Sequence, residues 1–447
     1  MPHFLDRFVN ALRKERDRFK RLLSGEATTE IDKMLREAFS KEWHDLPSPK
    51  RKELRVIAVD SGRTLREYAS GAFMYICRAA AVSSWGKEYR RVATNFHMIT
   101  SAREHLNNMV SLRSEHVEHK VAIDALKDFS DVDVVLIDGS LYGRTLHVPI
   151  SFNYSGERDL YLKYIETFDQ LLEECRKRKI LLLGVSKDSV ASHMTKLLMT
   201  NIRTQILENL RQHLSSKYMA QLNENLEAIK QRPYPLMRLV ADLPLTDKQR
   251  ETLRSLVSEL RRPRPDFALL SAWAKTAGYT TPIEPYPDIP LYKYEAKDPL
   301  RYVQRRFFEA IADYPGKEDA FEKWAPSIMQ KAFHLPTFAT FCTKLAHNDT
   351  PLRVDVPAYI IGLPTRVSDI SESRKLDPLP ERIEDVLQLL QSEYGGLDQY
   401  NVWLVRADQE ARLPTRDVTT LYEPLVEKEL KVQLKPTRRN RRARYTR

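Results

Sequence analysis

The spacing of apolar residues divides the chain into short continuous runs and longer periodic ones. Short apolar runs bounded by polar or turn residues read as strands buried on both faces. They cover Arg55 to Asp60, Gly71 to Val82, Val132 to Asp138, Ile180 to Val185 and Arg353 to Pro357. Segments whose apolar positions recur every three or four residues read as amphipathic helices. These are Arg113 to Lys127, Leu160 to Lys177, Glu381 to Ser392, Asp398 to Arg412 and Val418 to Leu430. Strands alternating with helices imply a partly parallel sheet of the α/β class. Two of the runs close on the same punctuation, an acid and two small residues: Asp60-Ser61-Gly62 and Asp138-Gly139-Ser140. Each reads as a turn at the end of its strand.

At 447 residues the chain is longer than one hydrophobic core usually supports. The pattern divides it into a helical arm over 1–50, closed by Pro47-Ser48-Pro49, and a first part of the α/β core over 51–192. A helical insertion over 193–262 follows, rich in Leu, Gln, Lys and Arg. The remainder of the core, with its C-terminal helices, covers 263–430, and a basic tail covers 431–447.

Composition narrows the class. Hydrophobic residues make up 42% and charged residues 30%, as in globular proteins, and no apolar run approaches the roughly 20 residues of a membrane helix. A membrane protein is not expected. Met1 to Arg21 interleaves Arg and Lys with Phe4, Phe8, Val9 and Leu12 and lacks the apolar centre of a signal peptide, so a cytoplasmic location is expected. Cys77, Cys175 and Cys342 lie far apart with no CxxC pair and read as buried hydrophobes. The net charge of +11 is uneven: Lys431 to Arg447 holds eight basic residues and no acid, so only +3 belongs to the rest. Such a tail either neutralises phosphates through counterion release or is a solvated end.

The chemistry in the pattern begins with the two acids. A buried strand that ends on an aspartate sets a carboxylate at the carboxyl edge of the sheet, where open α/β sheets build their sites. Carboxylates beside apolar strands are destabilised by desolvation unless a cation offsets it, so Asp60 and Asp138 together point to a shared divalent ion. The alternative is that each merely caps a turn. Oxygen ligands without a Cys or His cluster favour Mg2+ or Mn2+, which activate water or stabilise phosphoryl transfer. Glu115 and Glu118, three apart on the helix before the second acidic strand, share a face. That face continues through Ala122 and Ala125, which permit close packing on a sheet and aim Glu118 at the strand ends. The competing readings are Glu115 in the same role, or a solvated face shared with His116, His119 and Lys120.

These segments stand in a recognisable order. VIAVDSG, the helix RSEHVEHKVAIDAL, VVLIDGSL and LLLGVSKDS together resemble the NurA nuclease family, DNA end-processing partners of the HerA ring ATPase. Asp266-Phe267-Ala268-Leu269-Leu270 with Tyr279-Thr280-Thr281-Pro282 is similar to the family's DxALL stretch and its following YTxP. YNVWLVRADQEARL, from Tyr400 to Leu413, resembles the family helix in which a tyrosine is followed eight residues on by a histidine. The resemblance spans about Arg55 to Leu430, interrupted by the insertion. It implies an RNase H-like mixed-sheet core, a homodimer enclosing a DNA channel, and Mn2+-dependent 5′–3′ exonuclease and single-strand endonuclease activity. It also implies a hexameric HerA-type ATPase as partner, in DNA end resection, repair or anti-phage defence. Carried over, Asp60, Glu118 and Asp138 become metal ligands, Tyr400 positions the phosphate or water, and Lys187, just past the Ile180 strand, becomes a phosphate contact, with an exposed loop lysine as the equal alternative.

The sequence departs from the family pattern twice. The first motif is usually Asp-Gly-Ser and here is Asp60-Ser61-Gly62, a swap that a turn absorbs. The family histidine is replaced by Asp408, which can ligate a metal more readily than it can move a proton. RNase H-like enzymes often draw a late carboxylate from a C-terminal helix, which makes Asp408 a candidate fourth ligand; as a plain surface residue it would leave the site weakened. Two functions follow as expectations: two-metal hydrolysis of DNA, or a catalytically weakened adaptor that loads a HerA-type ATPase on DNA. A phosphatase or ATPase of the actin-like branch needs glycine-rich loops after the acidic strands, where only Gly62 and Gly139 lie.

Overall fold

In a computed structural model of the chain, which describes residues 2–24, 29–50, 53–229, 232–287 and 298–438, the apolar runs pair into one mixed sheet. Its strands are β1 (Trp43–His44), β2 (Val56–Glu67), β3 (Ala72–Ser83), β4 (Glu88–Met98), β5 (Val134–Asp138), β6 (Leu181–Ser186), β7 (Gly278–Thr280), β8 (Ile283–Glu284), β9 (Phe338–Lys344), β10 (Leu352–Pro357) and β11 (Arg374–Lys375). They lie in the order β1-β7-β9-β10-β6-β5-β2-β3-β4, with β8 against β9 and β11 against β8. β2, β5 and β6 run parallel, while β3 and β4 extend from β2 as an antiparallel meander. A three-stranded meander with two further strands parallel to its first is the RNase H-like, mixed-sheet arrangement that the family resemblance implies.

The principal helices are α1 (Pro2–Lys14), α2 (Arg16–Ser24), α3 (Glu30–Ser40), α4 (Arg103–Asp128), the single turn α5 (Leu141–Arg144), α6 (Leu160–Lys177), α7 (His193–Arg211), α8 (Ser216–Glu227), α9 (Pro233–Asp242), α10 (Asp247–Arg261), α11 (Asp266–Trp273), α12 (Pro299–Arg306), α13 (Glu318–Phe333), α14 (Glu381–Ser392), α15 (Val402–Ala411) and α16 (Glu423–Leu430). The acid-bearing strands are apolar up to their aspartates because helices cover both faces there. Ile57, Val59, Val135, Ile137 and Leu182 pack with Val117, Val121 and Ala125 of α4 and with Ile165 and Phe168 of α6. The alternate residues Val56, Ala58, Val134, Leu136, Leu183 and Val185 pack with Ile383 and Leu387 of α14 and Leu404 and Ala407 of α15. Helices α7 to α10 form the helical insertion, whose separate core also takes Ile31, Leu35 and Phe39 of α3.

The structure corrects the sequence reading in several places. β2 does not stop at Asp60 but runs on to Glu67, paired with β3 along that length, so Asp60-Ser61-Gly62 lies mid-strand rather than in a turn. β4 has the polar sequence of an edge strand, with Glu88, Arg90, Arg91, Thr94 and Asn95, and offers no apolar run to announce it. α15 begins at Val402 rather than Asp398, because the Asn401 side chain accepts from Trp403 N (3.2 Å) and Leu404 N (3.0 Å) and so caps the helix. α12, α13 and β9 fill a stretch for which the apolar spacing suggested no element. The three cysteines are buried and free, as expected. Among the described residues no helix is long and apolar enough to cross a membrane. The tail arginines from Arg439 on lie outside the described residues.

Candidate active site

Alternation of side chains along a strand decides which acids meet. Asp60 shares the parity of Val56 and Ala58, and Asp138 that of Val134 and Leu136, so both belong to the face covered by α14 and α15. The β2–β5 register sets Val59 opposite Ile137, which places the two aspartates side by side where β5 ends. Tyr400, just ahead of the Asn401 cap, donates from its hydroxyl to Asp138 Oδ2 at 2.9 Å. Lys187 arrives from the end of β6, with its ammonium 3.0 Å from the same oxygen and 4.6 Å from the centre of the Tyr400 ring. Asp408 lies on α15, half-buried and close enough for its charge to act on both Asp60 and Tyr400.

Crowding of these acids has an electrostatic consequence. Burial and the negative charges of Asp138, Glu118 and Asp408 push the Asp60 carboxyl up to about 9, opposed only in part by the Ser61 amide, which donates to Asp60 Oδ1 at 2.7 Å. Burial and Asp138 likewise push the Tyr400 hydroxyl upward and keep it a donor. Burial and the Asp138 charge are the shared causes.

Glu118 comes to the cluster from the opposite face. Ser61 has the parity of Val59 and faces α4, where its hydroxyl donates to Glu118 Oε1 and lies 2.7 Å from Ser114 Oγ. Arg144 of α5, buried like Glu118, donates to Glu118 Oε2 and, at 2.6 Å, to His119 Nε2. Burial still leaves the Glu118 carboxyl above its ordinary range despite that guanidinium. Glu115 is held elsewhere, by His147 Nε2 (2.9 Å) and the Tyr164 hydroxyl (2.8 Å). Burial alone would raise its pKa, but these bonds and the charges of His147 and Arg144 bring it down to about 2. Of the two glutamates, Glu118 is the one brought to Asp60.

Sequence reasoning missed Ser61, Gly62 and Arg144. Strand parity signals Ser61 once the strand is known to continue; nothing local signals Arg144. A Cβ on Gly62 would stand 2.3 Å from the Ala411 carbonyl oxygen, so the end of α15 rests directly on β2 at that residue. Arg78 of β3 fastens the same helix end by donating to Ala411 O at 2.9 Å. The Ser-Gly order is therefore set by helix packing, not by a turn.

Residues 54–413 match the NurA domain family. The chain belongs to that family. The crystal structure of the NurA nuclease from Sulfolobus solfataricus aligns with 96% of this chain and 98% of its own, at a TM-score of 0.51 and 14% identity. A second crystal structure of NurA aligns over 94% and 99%, at a TM-score of 0.44 and 16% identity. No curated protein matches the sequence significantly. The NurA match takes in Asp60, Glu118, Asp138, Lys187, Tyr400 and Asp408 together, and leaves α16 and the basic tail outside.

The donor set of this NurA site suits a hard divalent ion: carboxylates alone, in a setting buried enough to penalise their charge. Asp60 and Asp138 end up side by side, with Asp408 near enough for its charge to act on Asp60. Among the described residues no three His, Cys, Asp or Glu side chains are already gathered as a ligand group. Asp138 is paired with Lys187, and Glu118 with Arg144.

Proposed function

We propose that this NurA-family chain is a metal-dependent DNA nuclease that hydrolyses phosphodiester bonds at the Asp60–Asp138 pair. The observation that carries the reading is the proximity of Asp60, Asp138 and Asp408 on one side of the sheet, with Asp60 driven up to about 9 by burial and by its neighbours' negative charges. Asp60, Asp138 and Asp408 would hold Mn2+ or Mg2+, two ions in the full site, with Glu118 completing the set. Bound divalent ions supply Lewis acidity, making water a better nucleophile and offsetting phosphate charge. The chain's own residues orient the substrate. The Lys187 ammonium, on a side chain 42% exposed, can turn from Asp138 to a phosphate oxygen. The Tyr400 hydroxyl, kept protonated, fixes one oxygen of Asp138 and leaves the other free. Support also comes from the name of the aligned Sulfolobus solfataricus protein, a nuclease. The finer features implied by the resemblance belong to the same proposal: 5′–3′ exonuclease and single-strand endonuclease action, a homodimer, a HerA-type hexameric ATPase as partner, and a role in end resection, repair or anti-phage defence.

Digestion of labelled single- and double-stranded DNA in Mn2+, Mg2+ or EDTA tests the reading. Asp60→Ala and Asp138→Ala are expected to abolish metal-dependent cleavage with the circular dichroism spectrum unchanged; cleavage surviving in either overturns it. One observation favours a second reading. Both oxygens of Glu118 are engaged by Ser61 and Arg144, and Asp138 is neutralised by Lys187, as suits an adaptor that loads a HerA-type ATPase on DNA without cutting. A purified chain that stimulates such an ATPase on DNA yet cleaves nothing in either metal selects the adaptor.

A further inference from the structure

Beside the acids lies a buried charged pair that the proposed chemistry does not use. β10 runs antiparallel to β6, with Asp355 opposite Gly184 and Arg353 opposite Ser186. Asp355 is fully buried and Arg353 is 7% exposed. Gly184 has no room for a side chain: a Cβ there would lie 2.7 Å from Gly139 O and 2.8 Å from Leu141 N. The turn that follows Asp138 thus folds over β6 at its one bare position, secured by Gly139 N donating to Val185 O at 2.8 Å. Asp355 reaches across the same gap. Its Oδ2 accepts from Ser140 Oγ (2.5 Å) and Tyr142 N (3.1 Å), and its Oδ1 from Thr340 Oγ1 (2.8 Å). Arg353 lies 3.3 Å from Asp355 Oδ2 and donates both to Ser140 Oγ and, at 3.0 Å, to Ser189 Oγ.

Two segments that carry site residues are therefore tied to one ion pair. Ser140 is two residues from Asp138, and Ser189 two residues from Lys187. We propose that Arg353 and Asp355 are positioning residues, which lock the 138–142 turn and the 186–189 loop into one unit and so hold the Lys187 ammonium against Asp138. A buried ion pair is costly to desolvate and contributes little net stability, whereas charge-assisted bonds to hydroxyls are short and directional. The pair is thus better suited to fixing geometry than to stabilising the sheet. Its consequence for catalysis rests on the nuclease reading; the locking itself does not.

The test uses the full-length chain with Asp355→Asn, Arg353→Gln and Ser189→Ala, followed by amide hydrogen exchange and by Mn2+-dependent cleavage. Each charge variant is expected to speed exchange about tenfold in both 138–145 and 186–191 while leaving α6 amides unchanged. Each should also lower kcat about 10- to 100-fold with KM for DNA held within about twofold. Ser189→Ala leaves the ion pair intact and should loosen 186–191 alone. Exchange unchanged in the two segments, or raised uniformly across the sheet, overturns the proposal. If a charge variant does not fold, Ser189→Ala decides: unchanged exchange in 186–191 overturns it. A parent chain that cuts no DNA but shows the paired exchange response refutes the nuclease reading and leaves the locking in place.

Discussion

Asp60→Asn should stabilise the metal-free chain, because it removes a group the fold holds against its own electrostatics. Burial and the charges of Asp138, Glu118 and Asp408 move this carboxyl from 3.8 to about 9. The folded pKa is raised, so between those values the unfolded chain binds fewer protons than the folded one, and folding is penalised more as pH rises through that window. At pH 7 the interval above 3.8 is roughly three units, which at about 1.4 kcal/mol each gives a penalty on the order of 4 kcal/mol. At pH 5 it is under about 2 kcal/mol. An amide of the same shape carries no such penalty. With an unfolding entropy of about 2 cal/mol/K per residue over this length, the gain at pH 7 is about 4 °C in Tm. Calorimetry in EDTA provides the assay: Asp60→Asn melts above the parent at pH 7, and the gap narrows at pH 5. Added Mn2+ raises the parent and leaves the variant nearly unmoved. A variant that melts below the parent at pH 7 in EDTA refutes the reasoning.

Other substitutions probe the surroundings of the cluster. Arg144→Met leaves Glu118 buried without its cation and should cost about 3–5 kcal/mol in urea denaturation, with most of the loss recovered by adding Glu118→Gln. Gly62→Ala drives a Cβ into the Ala411 carbonyl and should cost about 1–3 kcal/mol, with DNA cleavage falling further because Asp408 moves with α15. Glu115, held down to about 2, contributes stability that is present above about pH 4.5 and lost as pH falls toward 2. Glu115→Gln should therefore lower the urea midpoint at pH 7 and flatten its decline across that acid window.

The strands that carry the site were legible because helices cover both of their faces and leave no polar position to interrupt the run. The sequence-based bounds of β3, β5, β6 and β10 fall within a residue or two of those observed. The misreading at Asp60 has a physical cause. Ser-Gly is an ordinary turn sequence, and the glycine is there because the end of α15 rests on it, a contact between distant parts of the chain that leaves no local trace. Glu118, on the alanine-lined face of its helix, meets Ser61 of β2, and its partner Arg144 comes from the turn after the next strand and could not be foreseen. β4 was invisible for the opposite reason to its neighbours: it is an edge, and edges are polar. Asp408 beside Arg406 and Gln409 has no distinguishing pattern; only the resemblance singled it out.

Charge balance orders what such a site can bind. Asp60, Asp138, Asp408 and Glu118 bring four carboxylates, and Lys187 and Arg144 bring two cations. Two negative charges lack a partner, and the raised Asp60 shows that one of them is discharged by a proton instead. One divalent ion supplies the missing charge with both cations in place. A second ion needs new negative charge to match it, and the phosphates of a bound strand are that charge. The two cations differ in the same sense. Arg144 is buried with Glu118, whereas Lys187 is exposed enough that on the proposed reading it would leave Asp138 for a phosphate. With a carboxylate at Asp408 where the family usually has a histidine, the cluster carries more negative charge than the common pattern. On the proposed reading its demand for the first ion is correspondingly greater, and the first ion is expected to bind ahead of DNA and the second with it.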